Sequence, residues 1–310
     1  MSIASLHEGY VFTPDVPIYW KSIGEGPPLV LLHGGPGSSH RYFLPHVLGL
    51  ARKHRLVLID QRGCGRSGRT SDPSLYTLDA MVADLEAVRA ALELESFALL
   101  GHSFGGLLAQ AYAVHDAEAH RKSALTHLVL VGTASSAKTV NGDFARIRKS
   151  LPTKTRAAIA AHEKRGIFGA DGAYRPDYAK LCQAALEPYN YHRPPAPGLV
   201  EEDEIAWPVL REMWVRRSDF VIDGNLRGFD FTPALRKLRV PALVLAGSRD
   251  LVSAKSARAT QDAIPGSQLV IMPDTGHMLF VEQPALFASI VNEFLGMAQP
   301  FAPAHRRRSR

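Results

Sequence analysis

Short unbroken apolar runs alternate along this chain with longer stretches in which apolar residues recur every three or four positions. The runs are Pro28–Leu32, Arg55–Ile59, Phe97–Leu100, Leu125–Val131, Ala242–Ala246 and Leu269–Met272, each closed within a residue or two by glycine or a charged side chain. Runs of this length suit parallel strands buried on both faces. Leu78–Leu92 and Leu286–Phe294 are amphipathic and predict helices. Strand alternating with helix predicts an α/β protein whose parallel sheet is clothed on both sides. Ahead of the first run, Tyr10–Ile23 predicts two short strands about a proline-containing turn, and no internal repeat is visible.

One stretch breaks the rhythm. Residues 134–231 hold no convincing buried strand; they are rich in charge, in aromatic residues and in proline (Pro194, Pro195, Pro197). Nearly a hundred residues is too long for a structureless loop in a compact domain. The segment therefore reads as a mainly helical cap inserted into a core made of residues 1–133 and 232–297.

Composition narrows the class. Of the 310 residues, 46% are hydrophobic and 21% charged, the balance of a globular protein, and no apolar run is long enough to span a bilayer. The formal charge of +6 is concentrated at the end, where Arg306, Arg307, Arg308 and Arg310 leave the body of the chain near neutral. No basic face with interleaved aromatics appears, so neither a nucleic-acid nor a membrane partner is expected, and residues 298–310 read as a disordered basic tail. The start of the sequence has no basic stretch followed by an apolar one, and Cys64 and Cys182 stand outside any metal-ligand spacing. A cytoplasmic enzyme with no cofactor and no metal is the expectation; the oligomeric state is not legible.

The chemistry gathers at the ends of the runs. Leu99–Gly106 reads LLGHSFGG, a buried strand, then Gly101-His102-Ser103-Phe104-Gly105, then a helix. A serine nucleophile on such a tight turn needs small flanking residues, and the following helix directs its positive end at a developing anion. His33-Gly34-Gly35-Pro36-Gly37 follows the first parallel run, and a glycine-rich loop there lets backbone N–H groups approach an oxyanion. Gly35 and Phe104 are the expected donors. In the fold built around such a serine, an acid and then a histidine follow at later strand ends. VPALVLAGSRD ends in Asp250 and LVIMPDTGH ends in His277. His277 would take the Ser103 proton, and Asp250 would hold the imidazole in the required tautomer. His102 is the rival histidine, read as structural because its side chain leaves the turn away from the serine hydroxyl. Asp274 is the rival acid, but it precedes the histidine too closely to reach its far nitrogen.

HGGPG, DQRGCGRS (Asp60–Ser67), GHSFGG, GSRD and DTGH together resemble the proline iminopeptidase family of α/β-hydrolases. The cap segment RRSDFVIDGNLRGFD (Arg216–Asp230) is most similar to the tricorn-interacting aminopeptidase and its bacterial relatives. The resemblance runs from about Tyr10 to Leu295. It implies an eight-stranded, mostly parallel sheet, a helical cap between strands six and seven, and release of an N-terminal residue from short peptides or amino-acid amides and esters. Members that cut peptides hold the substrate's α-ammonium with acidic side chains near the cap, and Asp219 matches one such position. The tricorn-interacting relative carries glutamate there and a second acid directly after the triad aspartate, where this chain has Leu251. Proline-specific members usually carry tryptophan after the nucleophile, where this chain has Phe104. The acidic run Glu201–Glu204 is either a replacement for the missing acid or a solvated helix start. Trp207, Trp214, Phe220 and Phe229 are read mainly as cap core, with at least one expected to face the acyl pocket, and Cys64 as a small residue in a packed turn. The alternatives are a small-molecule esterase or lactonase without an amine anchor, and a catalytically silent binding protein, although all three triad residues are present.

Overall fold

Both faces of each apolar run are needed, because helices cover the sheet on both sides. A computed structural model of the chain describes residues 5–119, 123–170, 172–193, 195 and 205–297. Eight strands form one sheet: β1 (Leu6–Phe12), β2 (Pro17–Ile23), β3 (Pro28–Leu32), β4 (Arg55–Ile59), β5 (Phe97–His102), β6 (Leu125–Val131), β7 (Ala242–Gly247) and β8 (Gln268–Met272). Their order is β1-β2-β4-β3-β5-β6-β7-β8. β2 is antiparallel to both β1 and β4, and all pairs from β4 onward are parallel. β3, β4 and β6 have the boundaries of their apolar runs; β5 continues to His102, which is paired with Val131 of β6.

Alternate residues feed two cores. Val30, Leu32, Val57, Ile59 and Leu99 pack with helices α1 (Leu78–Ala91) and α2 (Phe104–Ala119). Leu29, Leu31, Leu56, Leu58 and Leu100 pack on the other face with Phe287, Val291 and Phe294. Between β6 and β7 lie α3 (Ala137–Ser150), α4 (Thr153–Arg165), α5 (Pro176–Asn190), α6 (Trp207–Met213) and the short α7 (Thr232–Leu235); after β7 come α8 (Ala254–Ala263), α9 (Leu279–Glu282) and α10 (Pro284–Leu295). The insertion is thus helical. Thr77, Ser136 and Ser253 begin α1, α3 and α8 by accepting a hydrogen bond from a first-turn N–H, satisfying donors that the helices cannot. Pro194, Pro197, Glu201–Glu204 and the tail 298–310 lie outside the described residues.

The loop after β4 braces the glycine-rich loop after β3. Buried Asp60 accepts from the N–H of His40 at 2.7 Å and of Arg66 at 2.9 Å. The Gln61 amide donates to the His33 carbonyl at 2.9 Å. Arg62 forks onto Asp84 of α1 at 2.6 and 2.8 Å, and Cys64 is buried in the turn between them. Among the described residues no helix is long and apolar enough to cross a membrane.

Candidate active site

Ser103 stands at the junction of β5 and α2 with φ +54°, a left-handed conformation that costs a side-chain-bearing residue free energy. Two bonds hold it there: its N–H donates to Val131 O of β6 at 2.8 Å, and its carbonyl accepts from Gly106 N of α2 at 2.9 Å. A side chain on Gly101 would strike the Gly105 carbonyl, and one on Gly105 would strike the Leu32 carbonyl. The flanking glycines therefore let a strand, a helix and a neighbouring strand meet around one serine.

β7 and β8 deliver the other two residues of the predicted triad to the same sheet edge. His277 Nδ1 lies 2.6 Å from Asp250 Oδ1, and both side chains are buried. Asp250 is itself held, Oδ1 accepting from Val252 N at 2.9 Å and Oδ2 from Gly247 N at 3.3 Å. With its Nδ1 proton committed to the carboxylate, the ring leaves Nε2 as an acceptor. Ser103 and His277 line the same two cavities. Asp274, the rival acid, is exposed, and its N–H is held by Ser248 Oγ at 3.0 Å.

His102 has a different task. Its Nε2 lies 3.1 Å from the His277 carbonyl, which only accepts, so Nε2 carries the proton. Its Nδ1 then accepts from the Tyr42 hydroxyl at 2.8 Å, and the Tyr42 oxygen in turn accepts from Gly34 N at 2.5 Å. The chain of bonds runs from the glycine-rich loop to the backbone of His277. Burial, and then the neighbouring His277, push the His102 pKa well below the usual histidine range, which keeps the ring in the neutral form this relay requires. Gly34 N is occupied by Tyr42 and so does not serve a substrate. Gly35 has φ +112°, and a Cβ there would lie 2.5 Å from Gly37 N, so the approach is open to glycine alone. Phe104 supplies the first N–H of α2, directly after Ser103. Gly35 borders a cavity that Ser103 also lines, and Phe104 follows the serine directly.

Three contributors escaped the sequence reading: Tyr42, Glu187 and Gly132. Gly132 sits at the end of β6 with φ +55°, and a Cβ there would be 2.9 Å from His277 Nδ1 and 3.2 Å from Asp250 Oδ2. The histidine–acid pair packs directly on its backbone. A glycine closing a buried run was the signal that could have revealed it.

Two cavities meet at Ser103. The first, of about 30 Å³, is enclosed by Leu107, Val140, Phe144, Trp214, Leu251 and Val252. Of the four cap aromatics, Trp214 is the one that reaches it; Trp207 stacks on Tyr174 at 4.5 Å, and Phe220 packs on Phe144. Asp143 also borders this cavity, but its carboxylate already accepts from Ser256 Oγ at 2.6 Å and Ser253 N at 3.0 Å. The second cavity, of about 420 Å³, is wider and more polar than the first, bordered by Gly34, Gly35, Gln183, Glu187 and Asn190 among apolar residues such as Ile205 and Met278.

Asp219 borders neither cavity, which corrects the expectation that it faces the substrate's amine. Tertiary packing turns it into the cap: its N–H donates to the Tyr178 hydroxyl at 3.1 Å, and its Oδ1 is out of contact with solvent and without a hydrogen-bond partner. Burial raises its pKa from 3.8 to about 6, partly offset by Tyr174 and Cys182 and reinforced by Glu163. The folded protein therefore holds this proton more tightly than the unfolded chain, and stability falls as pH rises from about 4 through 6. Asp219→Asn removes the penalty. Its thermal midpoint should match wild type near pH 4 and exceed it at pH 7, by a gain of about 1–3 kcal/mol. A gain that shrinks with rising pH would place the carboxylate in a stabilising contact instead.

No group of three or more His, Cys, Asp or Glu side chains that could hold a metal occurs among the described residues. The Alpha/beta hydrolase family matches residues 29–290. The chain is 35% identical over 285 residues to a proline iminopeptidase of Lactobacillus helveticus (strain DPC 4571), covering 89% of this chain and 93% of that one. The crystal structure of the proline iminopeptidase of Mycobacterium smegmatis superposes with a TM-score of 0.76 at 25% identity, over 93% of this chain and 97% of that one. A proline iminopeptidase-related protein from Thermus thermophilus is also similar, with a TM-score of 0.67 at 25% identity over 94% and 97% of the two chains.

Proposed function

Because the chain belongs to the alpha/beta hydrolase family, in its proline iminopeptidase branch, we propose that it releases an N-terminal residue, proline or another apolar one, from short peptides or from amino-acid amides and esters, through an acyl-enzyme on Ser103. The observation that carries this reading is the buried 2.6 Å pair of His277 and Asp250, with His277 bordering both cavities that Ser103 lines. Ser103 Oγ attacks the scissile carbonyl carbon while His277 Nε2 takes its proton. The carbonyl oxygen, now an anion, is received by the N–H groups of Gly35 and Phe104. As the C–N or C–O bond breaks, His277 returns the proton to the leaving atom. Water then repeats the sequence on the ester of Ser103, giving up its proton to His277 and freeing the acid. The buried thiols of Cys64 and Cys182 support a cytoplasmic setting.

On this reading the narrow cavity takes the side chain of the single released residue, and the free amine is the group that distinguishes its substrates. Wild-type kcat/KM for a free aminoacyl anilide should therefore exceed that of its N-acetyl form by roughly 10–1000-fold. One observation favours a second reading, a small-molecule esterase or lactonase. Among the described residues that enclose the narrow cavity, the one carboxylate, Asp143, is already engaged, and Leu251 is apolar. Equal rates for the free and acetylated substrates would move the assignment to that reading.

A further inference from the structure

A substrate with its scissile carbonyl on Ser103 has two halves and two cavities to put them in. The narrow apolar one, about 30 Å³, accepts a short acyl side chain; the leaving half is then directed to the wide one, about 420 Å³. The wide cavity carries a carboxylate, that of Glu187. Gln183, Glu187 and Asn190 lie four and three positions apart on α5, so they form one stripe along a helix whose opposite face buries Tyr178, Cys182 and Ala185. Lys, Arg and Asp are absent from the described residues that border this cavity, and the Glu187 carboxylate makes no ion pair or hydrogen bond among the described residues. Glu187 is half-buried, so water screens its charge only in part. It also stands in the last turn of α5, where the negative end of the helix adds to its field.

From this arrangement we propose that the wide cavity selects leaving groups bearing a positive charge, with Glu187 as the specificity-determining residue. In peptide terms, a lysine or arginine is favoured immediately after the residue released. The proposal rests on the reading of Ser103 as the nucleophile that releases an N-terminal residue. It concerns the half of the substrate that departs, and not the amine of the half that stays. Gln183 and Asn190 offer amide oxygens beside the carboxylate, so an ammonium or guanidinium there can share its donors among three acceptors.

Two substrate series test it. In the first, the dipeptides Ala-Lys, Ala-Ala and Ala-Glu are compared by kcat/KM. In the second, one acyl group is presented as its choline ester and as the neutral 3,3-dimethylbutyl ester, which has the same shape without the charge. Wild type should favour Ala-Lys over Ala-Glu, and choline over its neutral counterpart, by about 10–100-fold. Glu187→Gln should reduce both ratios to within about threefold, and Glu187→Lys should invert them, a change of sign that misfolding cannot produce. Flat series in the wild type, or ratios retained in Glu187→Gln, would overturn the assignment of Glu187. Choline preference without any dipeptide hydrolysis would instead uphold Glu187 and overturn the aminopeptidase reading.

Discussion

Ser103→Ala is expected to lower turnover of an aminoacyl anilide by about 10⁴–10⁶-fold, His277→Ala by a similar factor, and the double variant by hardly more than either. The reason lies in the shared proton. Ser103 is a weak nucleophile until its proton has somewhere to go, and Nε2 of His277 is the acceptor left once Nδ1 is bound to Asp250 at 2.6 Å. Removing either residue stops the same event, so the second removal has little left to abolish. The proposed Gly35 and Phe104 donors and the two cavities are untouched in all three variants, and they are expected to leave a small residual rate above the uncatalysed one. Single-turnover measurements with purified variants, checked for contaminating hydrolase by fluorophosphonate labelling, decide the matter. More than a few per cent of wild-type rate in Ser103→Ala would remove it as nucleophile, and strictly additive losses would separate it from His277.

The next largest loss is expected at Asp250. Asparagine there keeps the shape, and with its oxygen in the place of Oδ2 it still accepts the Gly247 N–H that now bonds there at 3.3 Å. Its amide nitrogen then turns toward His277 and donates to Nδ1, which moves the ring proton to Nε2. A protonated Nε2 cannot receive a proton from Ser103. The expected result is a fall of about 10⁴-fold in kcat with KM little changed, because no substrate-binding group has moved. The Tyr42–His102 relay still holds the His277 backbone, so the ring stays in place and only its tautomer is wrong. A loss under tenfold would mean that Asp250 merely fills space. A rise in KM of the same size as the fall in kcat would mean that the loop itself had shifted.

The sheet and the triad were legible for the same reason. A strand buried on both faces has no freedom to be polar, so β3, β4 and β6 announce their own limits. The residue that ends such a strand on its carboxyl edge has one place to go, which is why Ser103, Asp250 and His277 could be named before they were seen together. The cap obeys no comparable rule. Its helices touch the core on one side and each other on the rest, and the burial of Tyr178 and Cys182 on α5 decides where Asp219 points. The resemblance of the cap segment singled out the carboxylate at position 219 but not its direction. Glu187 was passed over for the converse reason. A glutamate in a mixed-charge helix looks like a solvated face until the helix is laid across a cavity.

One further contact changes how this protein could be altered. The His277 N–H donates to the Tyr189 carbonyl at 2.8 Å and the Met278 N–H to the Asn190 carbonyl at 3.0 Å, so the end of α5 is stitched to the loop that bears the histidine. A side chain on Gly276 would lie 2.7 Å from both of those carbonyls, which leaves the seam no slack. A cap is an attractive module for exchange between related enzymes. In this chain a graft that begins or ends near Asn190 would cut the seam and release the histidine along with the old specificity. A successful chimaera must carry the Tyr189–His277 and Asn190–Met278 contacts over as one unit, so that the region choosing the substrate and the region supplying the base are inherited together.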